Sequence, residues 1–281
     1  MAVGKKITDL TASGSLKDTD LTIVHDGNGT KRSTLTQLGE YMGTKFSNPN
    51  LLTNPDFKIN QRGATSYSSN GYTVDRWKIS NGTVNTSPSG VTVTLNKKGQ
   101  FIQILENALN GTYTATIKVT SITGNCMLYI NSHSIQLNKA DTFTITENGS
   151  ITGISLYNNT ENTCTISIEY IKLEKGLIAT PFVAPNPAEE LVKCKRFFNR
   201  IYFYHVFYSG TAKMDYSFSH VIQSMRTKPT VTFNVENHYG LSNQQVTANN
   251  TKGLTVVVTA TTSKIGDCNI SGTVDLDAEI Y

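Results

Sequence analysis

Period-two alternation of apolar and polar residues, sustained over several runs, most constrains how this chain folds. Tyr113, Ala115, Ile117 and Val119 fall on one face of a strand, with threonines and Lys118 on the other. Val91, Val93 and Leu95 alternate in the same way, as do Cys126, Leu128 and Ile130, and then Cys164, Ile166, Ile168 and Tyr170. The pairs Asn81-Gly82, Asn110-Gly111 and Asn148-Gly149 are read as the turns between these strands, because both residue types tolerate positive φ. Short alternating strands at this spacing predict a mainly β protein with a jelly-roll β-sandwich at its centre.

Three segments follow along the chain. In residues 1–46, Leu21–Val24 reads as a strand and Asp26-Gly27-Asn28-Gly29 as a hairpin turn, with Lys31–Ser33 returning. Thr34 and Gln37 have capping-box spacing, and Leu35, Leu38 and Met42 recur at helical spacing. Phe46–Pro49 is a linker, and residues 50–183 hold the alternating strands. Asn186-Pro187-Ala188-Glu189 then opens a helix, with Asn186 as N-cap and Leu191, Cys194 and Phe198 as its apolar face. Residues 187–281 return to strands. Leu254–Val258 reads as fully buried, and Val274, Leu276, Ala278 and Ile280 alternate against Asp275, Asp277 and Glu279.

Only 16% of the 281 residues are charged, and Thr, Asn, Ser and Gly take the polar positions. That surface suits an extracellular β protein rather than a helical enzyme. The net charge is +4 and the basic residues are scattered, the longest cluster being Lys193, Lys195, Arg196 and Arg200, so nucleic-acid binding is not expected. No apolar run reaches the ~18 residues of a membrane span, and the first residues lack the apolar core of a secretory signal. The four cysteines show no CxxC spacing and read as packed free thiols. No nucleophile elbow, P-loop or HExxH motif is present, so no enzyme is expected. Asp275, Asp277 and Glu279 share a strand face, but an acidic stripe on a solvated strand, discouraging edge pairing, accounts for them.

Two longer stretches are specific. Asn50–Trp77 reads NLLTNPDFKINQRGATSYSSNGYTVDRW, and Ile168–Phe198 reads IEYIKLEKGLIATPFVAPNPAEELVKCKRFF. Together they resemble the opening and closing segments of the β-sandwich module of bacteriophage tail-fibre and receptor-binding proteins. The K-I-T-D-L…S-L-x-D-T-D-L-x-x-V pattern of residues 1–46 is similar to the virion-attachment module of such fibres. Met225–Val231 resembles a stretch of their C-terminal domain.

The resemblance implies a virion protein made in the host cytoplasm: a homotrimer anchored to other virion proteins through residues 1–46. It implies a carbohydrate-binding-module-like jelly roll over 50–183, a receptor-binding head over 187–281, and non-enzymatic adhesion to host-surface glycans. The same modules also fit a capsid (head) fibre or decoration protein; a glycan-active depolymerase is the remaining alternative. No cofactor is expected beyond a structural calcium near the opening strand, with Asp56 and Glu169 as acidic candidates. Lys58 stands where the resemblance would place an acid.

Trp77, the only tryptophan, alternates with Ile79 and is assigned to the core, with Asp75 and Arg76 pairing locally. Tyr67 and Tyr72 flank a Ser-Ser-Asn-Gly loop and are expected to be exposed. Tyr202, Tyr204, His205 and Tyr208 form an aromatic patch, and His238 and Tyr239 are placed in a polar loop over Asn237–Asn243. Tyrosine faces with amide neighbours suit glycans, so Tyr208, His238, Tyr239, Tyr67 and Tyr72 are the candidate contact residues.

Overall fold

The structure is a computed structural model that describes residues 17, 19–25, 27–43, 45–261 and 266–281. The Lys6–Leu10, Ser15–Leu16 and Asp18 parts of the N-terminal pattern, and Asp26 of the expected hairpin turn, lie outside the described residues. By contacts the chain divides into two units: residues up to Asn48 with Ile178–Val183, and Pro49–Leu177 with Ala184–Tyr281.

In the first unit, β1 (Leu21–His25) pairs antiparallel with β2 (Thr30–Thr34), and α1 (Leu35–Gly43) follows directly. The capping box forms as expected: the Gln37 N–H donates to Thr34 Oγ1 at 3.1 Å, and the Thr34 N–H donates to Gln37 Oε1 at 3.0 Å. No residue of α1 is buried, and Ile23 of β1 is 76% exposed. A two-stranded hairpin and one short helix bury too little to stand alone.

The second unit is mainly β, with two β-sandwich cores. The first is built from β3 (Ser66–Tyr67), β4 (Gly71–Tyr72), β5 (Lys78–Ser87), β6 (Gly90–Thr123), β7 (Cys126–Ile130), β8 (His133–Leu137), β9 (Asp141–Tyr157) and β10 (Cys164–Lys175). The sheet runs β3-β5-β6-β9-β7-β8, with β10 on β6 and β4 on β5. The β6 and β9 ladder breaks register between Ile104 and Leu109, so the two long strands serve both ends of the sheet. Ile168 of β10 lies opposite Val91 on one side and Val119 on the other, so β6 is used twice.

The alternating runs turn their apolar sides inward, as their period requires, and meet in one core, except at Tyr170: β10 shifts register after Ile168, which leaves Tyr170 half-buried and turns Ile171 and Leu173 inward instead. Cys126 and Cys164 are buried free thiols, as expected; a thiol hydrogen bond with Cys164, with burial, pushes Cys126 up. Trp77 is fully buried. Its ring stacks on Phe101 at 5.0 Å and tilts against Phe57 at 5.2 Å, and its Nε1–H donates to the Asn54 carbonyl at 2.9 Å.

The Asn-Gly pairs are not turns. Gly111 faces Gly149 inside the β6–β9 ladder. The long alternating runs on either side pair with each other and carry the ladder through both pairs. Asn81 (φ 49°) and Gly82 form a register shift in β5, and a Cβ on Gly82 would lie 2.3 Å from the Thr94 carbonyl oxygen. The local freedom that suits a turn serves a bulge here.

α2 (Pro187–Lys195) starts as the sequence predicts, with the Asn186 side chain accepting from the Ala188 N–H at 2.9 Å. Its inward face differs: Cys194 and Glu190 are buried, Leu191 is half-buried, and Phe198 already belongs to the next strand. Glu190 accepts from the Asn54 N–H at 2.6 Å, which satisfies a carboxylate inside the unit.

The second sandwich comprises β11 (Phe198–Ser209), β12 (Asp215–Val221), β13 (Thr230–Tyr239), β14 (Leu241–Ala248), β15 (Gly253–Ala260) and β16 (Gly266–Asp277). They form two antiparallel sheets, β11-β16-β13 and β12-β15-β14. Leu254, Val256 and Val258 of β15 are buried while Thr255 and Val257 are half-buried, so this run alternates and is not buried on both faces.

The acidic stripe is not a solvated edge, because β16 is the central strand of its sheet. Asp275 takes a bidentate pair from Arg200 of neighbouring β11, at 2.6 Å for both contacts. Glu279 is buried and meets Arg76 Nη1 at 2.5 Å and Arg62 Nη2 at 3.5 Å, both from the first sandwich. Asp75 and Arg76 therefore do not pair with each other. Asp75 accepts from Gln61, at 3.0 Å from its N–H and 2.5 Å from its side chain, and Arg76 reaches across to Glu279 and to the Ile104 carbonyl. Burial raises the Glu279 carboxyl above its usual range, outweighing the two guanidiniums that pull it down.

Two outcomes test this packing. Trp77→Ala removes a fully buried ring and is expected to cost about 3–5 kcal/mol in chemical denaturation; a loss below about 1 kcal/mol would place Trp77 outside the core. Glu279→Ala strands the buried Arg76 guanidinium and the half-buried Arg62 guanidinium, and is expected to cost about 3–5 kcal/mol. A change within about 0.5 kcal/mol would mean that the ion pair does not hold the second unit together.

Candidate functional site

Period two also decides what the first sandwich shows to solvent. Phe101 and Gln103 of β6 point inward and are buried, so Gln100, Ile102 and Ile104 lie on the opposite face. The β6–β9 register sets Gln100 opposite Tyr157, Ile102 opposite Ser155 and Ile104 opposite Gly153. The β7–β9 register sets Tyr129 opposite Ser155. Asn131, at φ 54°, begins the turn out of β7 and closes one end. All of these outward residues but Tyr157 line a groove of about 340 Å³ that continues past Thr152, and Tyr157 lines an adjoining hollow of about 230 Å³ that shares Gln100, Tyr129, Asn131 and Ser155 with it. The Tyr129 and Tyr157 rings meet edge to face at 6.1 Å and 79°.

The groove offers two tyrosine rings, two amides, the Thr152 and Ser155 hydroxyls and two isoleucines. No Asp, Glu, His, Lys or Arg lines it. It can stack on an apolar ligand face and exchange hydrogen bonds with hydroxyls through amides that both donate and accept. It has no pair of carboxylates with which to cleave a glycosidic bond.

A second surface lies on the outer face of β11-β16-β13. Tyr202, Tyr204, Val206 and Tyr208 of β11 are about three-fifths exposed. Tyr208 is opposite Asp267, and Tyr239 of β13 is opposite Asn269. These two candidate tyrosines therefore share a face, one on either side of β16. His238 is exposed but occupies the alternate register position, opposite Ile270. The expected polar loop is not there: β13 runs through Tyr239, Gly240 turns at φ 75°, and β14 begins at Leu241. β16 continues to pair as far as Tyr239, and the one glycine that can take this φ suffices for the turn.

Tyr67 and Tyr72 are half-buried, not exposed. The Tyr67 hydroxyl bonds to Asn60 and the Tyr72 hydroxyl to the Ile280 carbonyl. Tyr72 also meets Tyr281 edge to face at 5.5 Å, and burial raises both phenols. The loop they flank folds onto the body of the unit, which gives their hydroxyls internal partners. Asp56 is buried, and burial raises its carboxyl, whereas Glu169 is exposed on β10. Among the described residues, no group of three or more His, Cys, Asp or Glu side chains is arranged to hold a metal ion.

The groove went unread in the sequence. Its signal was the outward half of strands already recognised, with Tyr129 between the inward Leu128 and Ile130.

A scan against protein-family models finds no match, and a search of curated proteins finds none either. Solved structures similar to this chain include a family 29 carbohydrate-binding module at 11% identity, covering 44% of this chain and 100% of that one, with a TM-score of 0.29. Discoidin II of Dictyostelium discoideum is similar at 10% identity, over 66% of this chain and 80% of that one, with a TM-score of 0.24. A tandem CBM22-1–CBM22-2 domain of Paenibacillus barcinonensis Xyn10C is similar at 9% identity, over 84% and 91%, with a TM-score of 0.27.

Proposed function

We propose that this chain is a non-enzymatic adhesion protein of a bacteriophage fibre that binds host-surface glycans through the groove of the first sandwich. The observation that carries the reading is the groove itself, with Tyr129 and Tyr157 flanked by Gln100, Asn131 and Ser155 and no charged residue in the lining. A neutral sugar presents an apolar ring face and a rim of hydroxyls, and these residues complement both. The place on a virion is supported by the Asn50–Trp77 and Ile168–Phe198 stretches. The tyrosine face of β11 and β13 is a second glycan contact on the same unit, so one chain offers two weak sites.

Binding on a glycan array, followed by calorimetry with the best ligand, tests the site. Tyr129→Ala and Tyr157→Ala are each expected to weaken binding about tenfold, with an unchanged melting temperature. If both bind as the parent does while Tyr204→Ala or Tyr208→Ala abolishes binding, recognition belongs to the second sandwich and the groove reading fails.

Assembly is the other half of the proposal. Leu21 and Ile23 on β1 and Val192 on α2 are exposed apolar residues on small elements, as subunit contacts would require. A homotrimer anchored through residues 1–46 would multiply weak sites into avidity. Light scattering at micromolar concentration and physiological salt is expected to give three times the monomer mass; a monomer would rule the trimer out.

A further inference from the structure

β11 and β12 are edge strands of the two sheets in the second sandwich, and their inward side chains meet along one side of it. Phe207 packs on Tyr216 at 4.5 Å, and His205 stacks on Phe218 at 4.2 Å with 10° between the rings. Beyond that stack, His205 Nε2 and His220 Nε2 lie 3.0 Å apart. Only one proton fits between two ring nitrogens at that distance. At least one Nε2 therefore carries a lone pair aimed at the other ring.

Burial, with the charge His220 would carry, lowers the proton affinity of His205, which favours the neutral imidazole a metal requires. Late first-row ions bind imidazole nitrogen at about 2.0–2.1 Å, which at a tetrahedral angle separates two nitrogens by about 3.3–3.4 Å. A slight parting of the rings reaches that geometry. Both histidines also line a cavity of about 250 Å³, together with Tyr202, Phe203 and Tyr204, so there is room for the water that completes the coordination. The lining has no carboxylate, so its chemistry suits Zn²⁺, Ni²⁺ or Cu²⁺ and not calcium.

We propose that His205 and His220 form a two-imidazole site for a late first-row divalent ion, zinc in the first instance, clamping the edge strands of the two sheets together. The clamp is independent of the glycan groove, whose residues lie on the other sandwich.

Thermal unfolding of the full chain with and without ZnCl₂ tests it. An ion that binds only the folded state raises the midpoint, and about 1 mM zinc is expected to shift it by about 2–6 °C. His205→Phe, which keeps the stack on Phe218, and His220→Gln are each expected to abolish the shift. No shift in the parent overturns the proposal. A shift that survives both substitutions, or is lost on His133→Ala, where the His133 ring pairs with Glu147, places the ion elsewhere and also overturns it. If either variant fails to fold, electron paramagnetic resonance of the Cu²⁺-loaded parent decides: hyperfine splitting from two imidazole nitrogens supports the site, and one or none refutes it.

Discussion

The buried contact between Arg76 and Glu279 is the interaction on which the second unit depends. Its partners are 203 residues apart in sequence, one in the Asp75-Arg76-Trp77 turn and one just beyond the last strand. The Arg76 backbone sits at φ 71°, a conformation that a non-glycine residue adopts only when its surroundings demand it. Those surroundings are visible: the guanidinium lies 3.7 Å over the Phe197 ring, donates to the Ile104 carbonyl and meets Glu279. Arg62 stacks on Phe198 at 3.8 Å and approaches the same carboxylate, while Arg226 donates to the Ala278 and Glu279 carbonyls. Planar guanidiniums can stack and hydrogen-bond at once, which a lysine cannot do. Desolvating these charges offsets much of their attraction, but losing one partner would leave the others buried and unpaired. The cluster fixes how the second sandwich sits on the first.

That fixed arrangement bears on the glycan binding proposed above. The groove and the tyrosine face are carried by strands of one compact unit, so neither has to be ordered when a ligand arrives. Both surfaces use the same device. Each strand spends alternate residues on the core and leaves the others outside: Phe101, Ile130 and Leu156 hold the first sandwich together, while Gln100, Tyr129, Ser155 and Tyr157 shape the groove on its reverse. A surface built this way costs the core nothing, since changing an outward tyrosine leaves the inward packing in place.

Much of this was legible in the chain as written. The alternating runs, the burial of Trp77, the Thr34–Gln37 capping box and the Asn186 cap each depend on residues a few positions apart, and short-range sterics and hydrogen bonding decide them. The misreadings share one cause. Asn110-Gly111 and Asn148-Gly149 carry local turn chemistry, yet they lie mid-ladder because each strand found a partner that continued beyond them. The acidic stripe looked solvated because its counter-ions come from β11 and from residues 62 and 76. His238 and Tyr239 looked like loop residues until β16 paired with them.

The sequence by itself determined which residues turn inward, because side-chain period and helix capping are properties of neighbouring residues. It determined the class of the fold and its apolar cores. Only the tertiary structure decided which outward residues come together. Tyr129 meets Tyr157, His205 meets His220 and Arg76 meets Glu279 through registers and packing set by the chain as a whole. A shift of one residue in any register would turn those side chains to the opposite face.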